Sequence, residues 1–177
     1  MSLKHAILVM LEEEPSSGYD LLKHFKESLG YFWNAKHQQI YLQLKKLNEE
    51  QLISCESASQ PGKPDKKIYR ISERGRRELQ EWLSDSVPPA KINDALLLKI
   101  YGAKTGDKGK ILKEVERHIA LHQHILSKLK AIEAQYHGLS TQEQETRLFP
   151  YLTLRRGIIG EEAWLQWANE AIQLFKK

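Results

Sequence analysis

Cysteine is almost missing from this 177-residue sequence: Cys55 stands alone. One thiol excludes an internal disulfide framework and any zinc site built on paired thiolates. Long apolar runs are missing too. No stretch approaches the roughly 20 residues that a membrane-spanning helix needs, and the first apolar stretch runs into Glu12, Glu13 and Glu14, unlike a signal peptide. A cytoplasmic protein without a membrane partner is expected. Catalytic signatures are also lacking: there is no nucleophilic serine motif, paired-carboxylate signature or dinucleotide fingerprint. Gly106-Asp107-Lys108-Gly109-Lys110 has neither the spacing nor the preceding strand of a phosphate loop, so it reads as a turn. A binding protein without a cofactor is expected rather than an enzyme.

What the chain does have is 41% hydrophobic and 28% charged residues, a globular composition with a heavily solvated surface. The net charge of +4 is modest, but it is unevenly placed. Between Lys23 and Arg77 stand twelve Lys and Arg against six Asp and Glu, so this segment alone carries +6 and the remainder is slightly acidic. A basic segment of this kind points to a polyanionic partner.

The apolar spacing divides the chain. Leu3, Ala6, Ile7, Met10 and Leu11 mark an amphipathic helix that stops before Pro15. Ser16 and Ser17 offer an N-cap for a second helix with Leu21, Leu22, Phe25 and Leu29 as its stripe, ended by Gly30. Asn34 can cap a third helix to about Glu50, with Ile40, Leu44 and Leu47 on one side. Leu52 to Glu56 and Lys66 to Ile71 then read as strands, and Gln60-Pro61-Gly62-Lys63-Pro64-Asp65 between them as a hairpin tip. A helix from Glu73 to Ser84 follows, and Val87-Pro88-Pro89 marks a boundary. The fold expected is mainly α with a small β-hairpin wing: a winged helix-turn-helix over residues 1–85 and an antiparallel helical dimerisation arm over residues 90–177.

In the second half, helices are expected over Ile92 to Tyr101, Lys110 to about His137, and Thr146 to Phe175. Leu112, Val115, Ile119, His122, Leu126, Leu129, Glu133 and Tyr136 step by threes and fours, as in a heptad seam with polar interruptions. A helix that long needs cover, and a second copy of the chain is the simplest source. Leu165, Ala168, Ile172 and Phe175 on the last helix join Leu112, Val115, Ile119, His122, Leu126 and Leu129 as the expected dimerisation residues.

At about 100° per residue, the third helix sets Gln38, Tyr41, Leu42 and Lys45 opposite its apolar side. Gln and Lys suit base edges or phosphates, Tyr brings a hydroxyl, and Leu42 can meet a thymine methyl in the major groove. Asn34, Lys36 and Gln39 lie near the helix start, the end that usually enters the groove. Lys63, Lys66 and Lys67 at the hairpin would lay charge on flanking phosphates, although lysines also guard exposed strand edges.

The series Leu3-Lys4-His5-Ala6-Ile7-Leu8, Ser17-Gly18-Tyr19-Asp20-Leu21, Ile40-Tyr41-Leu42-Gln43-Leu44-Lys45-Lys46-Leu47 and Gly62-Lys63-Pro64-Asp65-Lys66-Lys67-Ile68-Tyr69-Arg70-Ile71-Ser72-Glu73-Arg74-Gly75 resembles the PadR family of bacterial transcriptional regulators. It spans roughly the first 80 residues. The resemblance implies a homodimeric winged-helix protein, usually a repressor, that binds an inverted-repeat operator in double-stranded DNA. It also implies a DNA-contacting surface at Tyr19 and Tyr41 and a basic wing at Lys63 to Lys67. A small-molecule effector such as a phenolic compound is a further implication. Gln51 departs from the pattern, which often has glycine there.

Two other readings stay open at the level of sequence. One is a protein-interaction adaptor that uses the winged-helix surface, for which a contiguous apolar patch on the third helix would speak. The other is a metal-responsive sensor using Glu114, His118 and His122, which lie one helical turn apart. Against a metal, no fourth ligand is indicated and His122 belongs to the seam, so none is expected. Trp164 and Trp167 can line an effector pocket or simply pack a core.

Overall fold

The computed structural model describes residues 3–25, 35–60, 63–89, 91 and 93–176; for residues 58–65 only the backbone of those included is described. The chain forms two compact units, Met1–Pro89 and Ala90–Lys177.

In the first unit, α1 (Leu3–Glu13) runs into β1 (Ser16–Ser17) and α2 (Gly18–His24). Then come α3 (His37–Glu49), the strands β2 (Ile53–Gln60) and β3 (Lys63–Ile71), and α4 (Glu73–Ser84). The three helical stripes converge as the spacing predicts. Ile7, Leu8, Leu21, Ile40, Leu44 and Leu47 are wholly buried in one core, closed by Leu52, Ile53, Ile71 and Leu79 from the wing and α4. Burying each such side chain contributes roughly 1.5–3 kcal/mol, which is why short helices of low intrinsic stability hold their shape here.

The wing differs from expectation in two respects. Its strands continue further toward the tip, with Gln60 opposite Lys63, so Lys63, Pro64 and Asp65 are strand rather than tip. Pro61 and Gly62 lie outside the described residues. The hairpin is also the larger part of a three-stranded antiparallel sheet in the order β1-β3-β2, where Ser16 pairs with Tyr69 and Ser17 with Ile68. Two residues are too short a run to show a period-2 pattern, so β1 left no sequence signal.

The ends of α3 also depart from expectation. Asn34, like Leu29 and Gly30 before it, lies outside the described residues. The residue flanking the helix is Lys36, whose backbone N–H donates to Gln39 Oε1 at 3.0 Å. At the other end Gln51 has φ of 59°, the one non-glycine residue with positive φ among those described. The Leu52 N–H donates to Leu47 O and the Gln51 N–H to Asn48 O, at 2.9 and 3.1 Å. These two bonds close a left-handed helix stop in which glycine is the usual occupant.

In the second unit, α5 (Ala95–Tyr101) is capped by Asp94, and a short 3-10 turn (Ala103–Thr105) precedes α6 (Lys108–His137). A tight loop leads through α7 (Thr141–Thr146) to α8 (Leu148–Phe175). The last helix, expected from about Thr146, begins at Leu148, and a short helix that was not expected precedes it: Ser140 and Glu143 form a reciprocal cap that starts α7, and Pro150 sits in the first turn of α8, where its missing N–H has no cost.

The seam of α6, for which a second copy was the simplest expected cover, packs against α8 of the same chain. Val115 and Ala168 are fully buried with Leu96 and Ile172, and Leu112, Ile119, Trp164 and Trp167 pack around them. Leu129 is buried, and Leu126, Leu165 and Phe175 are half-buried. The polar seam positions find partners across the helix pair. His122 Nδ1 lies 2.5 Å from Glu161 Oε2, Arg155 donates to Glu133 at 2.8 Å, and Tyr136 stacks on Tyr151 with centroids 3.9 Å apart. These pairs fix the antiparallel register.

Candidate nucleic-acid interface

The Ser17 side chain positions the first part of the site. Its oxygen accepts the Asp20 N–H at 3.2 Å and so caps α2, while its hydroxyl donates to Asp20 Oδ2 at 2.8 Å. This start of α2 carries Tyr19 outward, 69% exposed. Gly18 is buried at the same turn, directly beneath the ring of Tyr41.

On α3 the outward face is the one expected from the helical wheel. Gln38, Tyr41, Leu42 and Lys45 are all exposed, as is Lys36 at the helix start. His37, Gln38, Tyr41 and Leu42 together line a shallow concavity. His37, which sequence reasoning passed over, lies against Tyr41 with ring centroids 4.6 Å apart and the planes tilted by 37°. Its position one turn before Tyr41 was the available signal. Gln39 is exposed, but its side-chain oxygen is occupied in holding the helix start.

The wing brings its own charge. Lys67 is exposed, and Lys63 lies in β3 with its side chain outside the described set. Lys66 is half-buried, its ammonium 2.8 Å from Asp20 Oδ2. That ammonium and the Ser17 hydroxyl hold the Asp20 carboxyl below its usual pKa. Asp20 therefore ties the wing to α2, a link that the sequence did not disclose.

The arrangement sets a helix face with amide, hydroxyl, aliphatic and ammonium groups next to a basic strand. Such a surface can reach base edges in a groove and phosphates beside it. The ion pairs Lys45–Glu49 and Lys46–Glu50 are loose, at 3.8 Å and largely exposed, so these lysines are available to a stronger anion.

The other candidate chemistry is differently placed. Glu114 receives both Nε and a terminal nitrogen of Arg117, at 3.0 and 2.8 Å, and this holds its pKa down to about 2. His122 is engaged by Glu161 and lies flat on Trp164, centroids 3.6 Å apart. Among the described residues no group of three or more His, Cys, Asp or Glu could hold a metal ion. Trp164 and Trp167 meet edge to face, 5.6 Å apart, against the second core. Among the described residues no helix is long and apolar enough to cross a membrane.

Comparison with known proteins gives the same division of the chain. Residues 7–81 match the transcriptional regulator PadR-like family, and residues 92–176 match the virulence activator alpha C-terminal family. A probable transcriptional regulator of Mycobacterium tuberculosis is 34% identical, over 100% of this chain and 99% of its own. The negative transcriptional regulator PadR of Bacillus subtilis is 31% identical, over 99% of this chain and 98% of its own. The solved structure of that PadR in complex with operator DNA superposes with a TM-score of 0.85 at 31% identity, covering 98% of both chains. Its complex with p-coumaric acid gives 0.81 at 29% identity, covering 99% of both. This chain belongs to the PadR-like family of transcriptional regulators.

Proposed function

We propose that the chain is a sequence-specific DNA-binding regulator that acts in the cytoplasm as a homodimeric repressor and is released by a small aromatic effector. The observation that carries the DNA-binding part is the exposed face of α3, Gln38, Tyr41, Leu42 and Lys45, beside Tyr19 and the lysines of β3. Each subunit would place α3 in a major groove and its wing on neighbouring phosphates, with Lys36, Lys63, Lys66 and Lys67 supplying charge. The full-length similarity to a negative regulator solved with operator DNA supports repression by promoter occlusion, and the p-coumaric acid complex of that relative supports an aromatic acid as effector.

Dimerisation is assigned to the helical unit, but through surfaces other than the α6–α8 seam. Leu121, Ile125 and Ile132 share one flank of α6 and remain 46%, 37% and 37% exposed. On α8, Phe149, Leu152 and Ile159 are each more than half exposed. Single exposed leucines need no explanation, whereas rows of them at helical spacing are what a partner helix covers.

Binding to promoter fragments measured across salt concentrations tests the first claim. Affinity should fall steeply with salt, and Lys45→Ala with Lys67→Ala should flatten that slope by about 0.9 for each phosphate no longer neutralised. A slope unchanged by both substitutions would count against the interface. Sedimentation of Leu121→Glu and Ile125→Glu tests the second claim, with a shift to monomer expected.

A further inference from the structure

The least explained side chain of the interface is Leu42. It is 69% exposed, although α3 already supplies the core with Ile40, Leu44 and Leu47 from its other side. Packing therefore gives no reason for a leucine at this position. Its neighbours are selective as well: Gln38 lies one turn earlier on the same face, and the tilted His37–Tyr41 pair lines the concavity that Leu42 completes. Tyr41 in turn lies over Gly18. The result is an apolar rim next to a side-chain amide.

In the major groove, one base carries an apolar marker, the C5-methyl group of thymine, while an amide at Gln38 has the donor–acceptor pair that matches an adenine edge. We propose that Leu42 is a specificity-determining residue that reads the C5-methyl of one thymine in each operator half-site. This rests on the DNA-binding reading above and adds to it a particular base, a particular atom and a residue that discriminates without a hydrogen bond.

The test uses the duplex of highest affinity selected by the full chain from a random pool. Each thymine is replaced in turn by deoxyuridine, which removes one methyl group and leaves every hydrogen-bonding group in place. The expected result is a loss of about fourfold in affinity at one thymine position per half-site, the factor for losing burial of one methyl-sized group. Leu42→Ala should bind the thymine and deoxyuridine duplexes equally, with an unchanged melting temperature and salt slope, because its side chain supports neither the core nor a phosphate. Wild-type affinity that is indifferent to every deoxyuridine replacement overturns the inference. So does a thymine preference that Leu42→Ala keeps in full. Failure of the wild-type chain to prefer the selected duplex over a scrambled one overturns the DNA-binding reading itself, an outcome distinct from the other two; an apolar protein partner would then be the occupant of this face.

Discussion

Gly18 and Tyr41 are matched to each other across two helices: a Cβ added to Gly18 would stand 2.8 Å from Tyr41 Cε1 and 2.9 Å from its Cζ. The glycine is what allows the tyrosine to lie against the start of α2 while remaining 40% exposed.

Gly18→Ala should therefore displace the Tyr41 ring while leaving the core intact. The ring can swing because it is partly exposed, and alanine favours the helix over glycine by up to about 1 kcal/mol. The expected outcome is a melting temperature within a few degrees of wild type and a several-fold loss of DNA affinity. If affinity is retained, Tyr41 is not part of the interface in the orientation described.

The opposite balance holds at Gly75. A Cβ there would come within 2.1 Å of the Leu52 carbonyl oxygen and 2.9 Å of Ile71 Cγ1. A backbone carbonyl cannot swing away, and α4 is pinned at this point because Ser72 Oγ accepts the Gly75 N–H at 3.0 Å. Gly75→Ala should cost about 3 kcal/mol by overpacking, seen as a lower denaturant midpoint with an unchanged slope.

Gln51 offers a gain. An L side chain at φ of 59° costs roughly 1–2 kcal/mol relative to the right-handed region. The backbone bonds of this stop, including Gln51 O accepting the Ser72 hydroxyl at 2.7 Å, need no side chain from residue 51. Gln51→Gly should stabilise the chain by about 1 kcal/mol after the added freedom of the unfolded chain is subtracted. Urea denaturation reads this directly, and a loss of stability would mean that the Gln51 side chain contributes something its surroundings do not reveal.

The helical stripes explain why so much of this architecture is legible in the sequence. Ile40, Leu44 and Leu47 face the core because a 3.6-residue period has no other way to bury them, and the same period turns Gln38, Tyr41, Leu42 and Lys45 outward. Asp20 was not legible as a partner of Lys66, because the two are separated by 46 positions and brought together only by β1 pairing with β3. The seam of α6 is ambiguous for a related reason. A row at Leu112, Val115, Ile119 and Leu126 states that a helix will cover it, but it does not state whose. Here the loop at Gly138 and the caps at Ser140 return the chain antiparallel, so the cover comes from α8.

The Glu78 carboxylate gives a pH prediction. It is paired with the Lys4 ammonium and with His5 Nε2 at 3.3 Å, and these partners hold its pKa below the ordinary carboxylate value. A depressed folded-state pKa means that the stabilisation is present above the unfolded value and is lost as pH falls through the folded one. The side chain is 34% exposed, so the contribution is below about 1 kcal/mol. Glu78→Gln should be slightly less stable than wild type at pH 7, and the difference should vanish in the acid range once the wild-type carboxylate is protonated. A difference that stays constant across that range would assign the effect to packing.

Asp20 joins stability to binding. Its carboxylate neutralises Lys66 at 2.8 Å on the face where phosphates are proposed to lie. Asp20→Asn removes a negative charge from that face and releases the ammonium, while the Asp20 backbone N–H to Ser17 Oγ, which caps α2, is retained. Affinity for DNA should rise several-fold at low salt, and the salt slope should steepen by up to about one phosphate equivalent as Lys66 engages the backbone of the duplex. The effect should shrink as salt increases, because the gain is electrostatic. Lys66→Ala in the Asp20→Asn background should abolish the added slope. If it persists, Lys66 is not the group released, and the pair serves only to fasten the wing to α2.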